Sequence, residues 1–156
     1  MQSVARSLHR SYAADPESVA QARRALGDFA AGAGAAPRLV EAVRLATSEA
    51  VTNAVRHAYG DGPGYVHVTA GIVSDELWVL IADDGGGLEP RSGRPGLGLG
   101  LCLIAQLSDR MAIVARAGGG TEVRMRFDFV AAGTASARAV SMNGALRAVD
   151  PSSSLA

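Results

Sequence analysis

Leu45-Ala-Thr-Ser-Glu-Ala-Val-Thr-Asn-Ala-Val-Arg-His-Ala-Tyr59 is the stretch whose reading decides the fold. At about 100° per residue, Glu49, Asn53 and His57 stand four apart and share one stripe of a helix. Beside that stripe runs an apolar face of Val40, Val43, Ala50, Val51, Ala54 and Ala58. Such a helix buries one side and carries a carboxylate, an amide and an imidazole at the edge of a core. A carboxylate and an amide oxygen one turn apart suit a hydrated Mg²⁺, which prefers oxygen ligands and keeps several waters. The same residues also read as a polar flank that needs only solvent.

Upstream, residues 3–13 alternate loosely, with Val4, Leu8 and Tyr12 among polar neighbours, and predict a short edge strand. Asp15-Pro-Glu17 supplies an N-cap, a first-turn proline and an acid at the positive end of a helix dipole. The helix that follows carries Val19, Ala22, Leu26 and Phe29 on its apolar side, with Arg23 and Arg24 off it. Pro37 opens the second helix, and Gly60-Asp-Gly-Pro-Gly64 ends it.

Downstream, Tyr65–Ala70 alternates as a half-buried strand does, and Ser74-Asp75 is a turn. Leu77–Ala82 is an apolar run suited to a central strand, entering Asp83-Asp-Gly-Gly-Gly87. Gly96-Leu-Gly-Leu-Gly100 leads into a helix that buries Leu101, Ile104 and Leu107. Met111–Arg116 and Thr121–Val130 form a hairpin about Ala117-Gly-Gly-Gly120. The order β-α-α-β-β-loop-α-β-β lacks regular βαβ alternation. It predicts an α+β, two-layer sandwich: a mixed, mostly antiparallel sheet with helices on one face. Residues 1–131 are expected to form one domain, and 132–156, rich in Ala, Ser and Arg, a disordered tail.

The composition narrows the function. Lys plus Arg equals Asp plus Glu at 15 each, whereas a nucleic-acid binder is expected to show a basic surplus. One cysteine, Cys102, allows neither an internal disulfide nor a cysteine metal cluster. No apolar run reaches the ~18 residues of a membrane span, and no signal-peptide core opens the chain, so a cytoplasmic protein is expected.

The glycines extend the reading. Gly96-x-Gly-x-Gly100 at a helix start offers backbone N–H groups and a positive dipole end to phosphate, though glycine clusters also make ordinary loops. Asp83 at a strand end can accept a hydrogen bond from an exocyclic amine such as adenine N6, with glycines allowing close approach. Asp84 competes for that role, and alternation lets only one of the pair face the site. An Asp-Gly turn is the plainer alternative.

Glu49-Ala-Val-Thr-Asn53-Ala-Val-Arg-His57-Ala-Tyr59 resembles the N box of the histidine kinase/chaperone/gyrase/mismatch-repair ATPase superfamily, in the version of the bacterial anti-sigma factor serine kinases. Asp83-Asp-Gly-Gly-Gly87 resembles its first glycine box, Gly96–Gly100 the second, and Gly120-Thr121 the third. The four elements keep the family's order. The resemblance implies a Bergerat-type sandwich that binds ATP under a lid at residues 88–96.

Carried over, the resemblance has Asn53 coordinate Mg²⁺ at the phosphates and Asp83 bind adenine. Gly85 and Gly87 would shape the base pocket, and Gly96, Gly98 and Gly100 the phosphate pocket and lid hinge. Thr121 would support Asp83 or its water, and Glu49 would be the general base toward a substrate hydroxyl. His57 receives no role. The short chain is expected to be a stand-alone domain, without the helical phosphoacceptor domain of sensor kinases or the second domain of gyrase-like ATPases. The function implied is an anti-sigma factor with serine/threonine kinase activity toward an anti-anti-sigma (STAS-type) protein. Its expected partners are that protein, a sigma factor and a second copy in a homodimer, with no nucleic acid and no membrane. The alternative is a nucleotide-gated binding module that transfers no phosphate.

Overall fold

The computed structural model describes residues 6–59, 62–86, 97–129 and 131–132. Strand β1 (Ser7–Ala13) leads to helices α1 (Pro16–Gly32) and α2 (Pro37–His57). Strands β2 (Tyr65–Val73) and β3 (Glu76–Asp83), helix α3 (Leu97–Leu107), and strands β4 (Arg110–Ala115) and β5 (Thr121–Asp128) follow. The sheet order is β1-β2-β3-β5-β4. All four pairings are antiparallel, where the sequence predicts a mixed sheet of mostly antiparallel strands. The edge strand, the two N-terminal helices, the central strand and the hairpin stand where the sequence predicts them. Because β5 pairs with both β3 and β4, the strand after α3 lies at the sheet's rim and its hairpin partner lies inside it, next to the central β3.

Local chemistry explains the elements. Asp15 caps α1, its carboxylate accepting from the Ser18 N–H at 3.1 Å, and Pro16 needs no N–H partner there. No side chain caps α2, so its start rests on Pro37 and on packing. Ser74 turns β2 into β3 with a positive φ of 47°.

Period-two alternation then sorts the sheet into two faces. Val66, Val68 and Ala70 of β2 and Leu77, Val79 and Ile81 of β3 point to one side, with Val123, Met125 and Phe127 of β5 beside them. Against that layer α1 sets Ala22, Leu26 and Ala30, α2 sets Val43, Ala46, Ala50 and Val51, and α3 sets Ile104. Full burial of a side chain the size of Leu77 or Phe127 contributes roughly 1.5–3 kcal/mol. The opposite face stays partly open and carries His67, Trp78, Arg124 and Arg126, the last with its guanidinium 4.5 Å from the Trp78 ring centre. Among the described residues, no helix is long and apolar enough to cross a membrane.

The sandwich puts three termini together: the C-terminal half of α2, the end of β3 and the start of β5. Of the sequence expectations, residues 3–5 of the edge strand, Gly60, Asp61, Gly87, Gly96, the lid at 88–96, Val130 and all of the tail except Ala132 fall outside the described residues.

Candidate functional site

A cleft opens between α2 and the sheet. Its apolar walls are Ala50, Ala54 and Ala58 on the helix, with Ile81 and Val123 on the strands. Its polar groups are Asn53 and Asp83, each only 6% exposed. Small residues along α2 keep the helix wall flat, which suits a planar ring. The void is about 10 Å³, room for about one water.

Asp83 owes its position to β3. It continues the inward set Leu77, Val79 and Ile81, so period two turns its carboxylate into the cleft. Asp84 falls on the other face, so of the two acids only Asp83 lines the cleft. The Gly85 N–H donates to Asp83 Oδ1 at 3.0 Å, and the Thr121 backbone also donates to this carboxylate. Burial raises the Asp83 pKa above the ordinary carboxylate range, and those two hydrogen bonds oppose the rise. A buried carboxylate that keeps spare acceptor capacity suits an exocyclic amine.

The glycines here are close-approach residues. A Cβ on Gly85 would lie 2.0 Å from the Ala58 carbonyl oxygen, and the neighbouring Gly86 N–H donates to that oxygen at 3.0 Å. Gly120, at φ +91°, passes so close under β3 that a Cβ would stand 1.9 Å from the Asp83 carbonyl oxygen. Thr121 is buried just after it, beside Asp83.

At the other end of the cleft, Glu49 and Asn53 meet α3. Gly98 and Gly100 lie inside α3, where the sequence put them ahead of the helix. The reason is packing: a Cβ on Gly100 would fall 3.0 Å from Glu49 Oε2 and 3.3 Å from both polar atoms of the Asn53 amide. Asn53 Nδ2 is buried and has no hydrogen-bond partner among the described residues. Whichever way the amide is turned, one buried polar atom there lacks a partner among the described residues. An orphaned amide beside a carboxylate and the first turn of a helix fits a phosphate with its counter-ion. Among the described residues no cluster of three or more His, Cys, Asp or Glu side chains could hold a metal. A cation here would therefore take much of its shell from ligand oxygens and water.

Gly100→Ala isolates this contact. Alanine favours the helix by up to about 1 kcal/mol over glycine, so the melting temperature should hold or rise. The added methyl displaces Glu49 and Asn53, and any chemistry they perform should slow by roughly tenfold. Thermal denaturation and activity measured on one preparation check it; a fall in both together would point to a folding defect instead.

Of the residues singled out in the sequence, Asn53 and Asp83 line the cleft; Glu49 and Gly100 adjoin Asn53, Gly85 and Thr121 adjoin Asp83, and Gly98 is exposed at the α3 start. His57, the last residue of α2, is half-buried. Sequence reasoning missed Tyr59, His67 and Arg116, which surround Asp84. Tyr59 closes the decisive stretch, but a residue pattern says nothing of where its hydroxyl ends.

Residues 12–127 match the histidine kinase-like ATPase domain family. A serine-protein kinase RsbW of Bacillus licheniformis is 34% identical over 116 residues, covering 64% of this chain and 72% of that protein. An anti-sigma F factor of Clostridium acetobutylicum is 30% identical over 133 residues, covering 78% and 93%. The crystal structure of the RsbU and RsbW domains of a Mycobacterium tuberculosis protein superposes with a TM-score of 0.63 at 23% identity. That likeness covers 80% of this chain and 32% of the solved one, and it concerns the fold.

Proposed function

The chain belongs to the histidine kinase-like ATPase domain family, and from that membership we propose that it is an ATP-dependent protein serine/threonine kinase that acts as an anti-sigma factor. The observation that carries the reading is the meeting of Glu49 and Asn53 over the Gly100 backbone, with Asp83 at the far end of the same cleft. One relative is named an anti-sigma F factor and another a serine-protein kinase, which supports a sigma factor as one partner and a protein serine as acceptor; our reading places that serine on an anti-anti-sigma protein.

In this reading the adenine ring slides between the alanines of α2 and Ile81 and Val123, and Asp83 accepts from its amine. Asn53 meets the phosphates through its orphaned amide and would hold Mg²⁺, which when bound neutralises phosphate charge. Glu49, one turn before Asn53, takes the proton of the serine hydroxyl. As the serine O–P bond forms, the bond from the γ-phosphorus to ADP breaks, and the proton stays on Glu49. The open edge of β1 could pair with a second copy to form the expected homodimer.

Calorimetric titration with Mg·ATP and Mg·GTP tests the binding half. Saturable binding of Mg·ATP, weakened when Mg²⁺ is withheld and at least tenfold tighter than Mg·GTP, is expected. Equal affinity for the two nucleotides would remove the adenine assignment.

A further inference from the structure

Asp84 lies on the open face of the sheet, yet residues from three other elements converge on it. From β2, His67 Nε2 is 2.5 Å from Asp84 Oδ2, and the same ring's Nδ1 is 2.8 Å from the Ser11 hydroxyl of β1. From the end of β4, Arg116 Nη1 donates to Asp84 Oδ1 at 2.5 Å and to the Asp83 carbonyl oxygen at 2.8 Å. From the end of α2, the Tyr59 hydroxyl accepts the Asp84 N–H at 2.7 Å and donates to the Tyr65 carbonyl at 2.5 Å. The His67 hydrogen bond, with Arg116 alongside, holds the Asp84 carboxyl below the ordinary carboxylate range.

The Asp84 side chain is 49% exposed, and ion pairs at such exposure contribute little to stability. What the contacts share is their geometric consequence. Arg116, anchored on the Asp84 carboxylate, grips the carbonyl of Asp83. Tyr59 grips the N–H of the same peptide unit. Gly120 passes close to that carbonyl, where a Cβ would stand 1.9 Å from its oxygen. The peptide that follows Asp83 is thus fixed on the open face, while the Asp83 carboxylate projects from the other face into the cleft.

We propose that Asp84 is a positioning residue for nucleotide recognition: through Arg116 and His67 it locks the end of β3 so that Asp83 meets the exocyclic amine of adenine. This rests on the reading of the cleft as an adenine site. Asp84 touches no nucleotide and acts only through Asp83.

The test compares ADP with inosine diphosphate, which carries a carbonyl oxygen where adenine carries its amine. Affinities are measured by calorimetry for wild type, Asp84→Ala, Arg116→Gln, Asp83→Asn, and the double variants Asp84→Ala/Arg116→Gln and Asp83→Asn/Asp84→Ala. Asp84→Ala is expected to weaken ADP roughly five- to tenfold and inosine diphosphate less than twofold, with little change in melting temperature. Arg116→Gln should reproduce that selective loss from the other end of the brace, and combining it with Asp84→Ala should add little. In the Asp83→Asn background, Asp84→Ala should change ADP affinity less than twofold, because a residue that acts through another loses its effect once the other is gone. Equal losses for both nucleotides, full additivity with Asp83→Asn, or unchanged ADP affinity in Asp84→Ala would each overturn the proposal. A wild-type protein that does not prefer ADP to inosine diphosphate would overturn the adenine reading itself, and this proposal with it.

Discussion

Glu49→Gln is expected to leave Mg·ATP affinity within about twofold and to lower phosphoryl transfer to the partner serine by about 10²–10⁴, the span of a lost general base. Glutamine keeps the shape and the packing against Gly100, where Glu49 Oε2 lies 3.0 Å from the position of a Cβ. It cannot take a proton from the acceptor hydroxyl. Asn53→Ala should behave differently, because in the proposed reading its amide meets the phosphates: metal-dependent binding and transfer should fall together. Quench-flow transfer rates beside calorimetric affinities separate the two patterns. Transfer by Glu49→Gln within about threefold of wild type would take the base assignment away from Glu49.

Asp83→Asn should weaken ATP about ten- to a hundredfold. The amide cannot offer the adenine amine the same acceptor, and an unpaired donor in a buried pocket costs roughly 1–3 kcal/mol. The same substitution should make the free protein more stable at neutral pH. Burial raises the Asp83 pKa, so the folded state holds that proton more tightly than the unfolded chain does. The stability this provides is complete below the ordinary carboxylate pKa of about 4 and is lost as pH rises through the higher folded value. The Asp83→Asn variant avoids the loss, so its melting temperature should lie above that of the wild type at neutral pH. The gain should be present at pH 7 and vanish near pH 3. Differential scanning calorimetry across that range checks the sign; a lower melting temperature for the variant at pH 7 would contradict the burial argument.

The positions of Asn53 and Asp83 on the cleft were legible because each lies in a periodic pattern. Asn53 sits four residues after Glu49 beside an apolar stripe, and Asp83 extends the inward set of a buried strand. The edge placement of β1 and the hairpin of β4 and β5 were equally readable, from alternation and from the glycines at 118–120. The position of β5 between β3 and β4 was not, because nothing local records which strand of a hairpin turns inward. Gly100 looked like part of a loop because glycine is unfavourable in helices; the packing of α3 on Glu49 overrides that preference. The contacts of Asp84 were illegible for a related reason. Residues 11, 59, 67, 84 and 116 meet only through the sheet register and the end of α2, and no spacing in the chain encodes such a meeting. Thr47 is fully buried with its hydroxyl unpartnered among the described residues, and no physical reason for it is apparent.

The kinase assignment is tested most directly by incubating the protein with ATP labelled at the γ-phosphate, Mg²⁺ and a set of anti-anti-sigma proteins. Label on a serine of one of them, absent when that serine is alanine and absent with Glu49→Gln at the same time point, is the expected result. Saturable ATP and partner binding without label on any serine would contradict it and leave a nucleotide-gated binding module in its place.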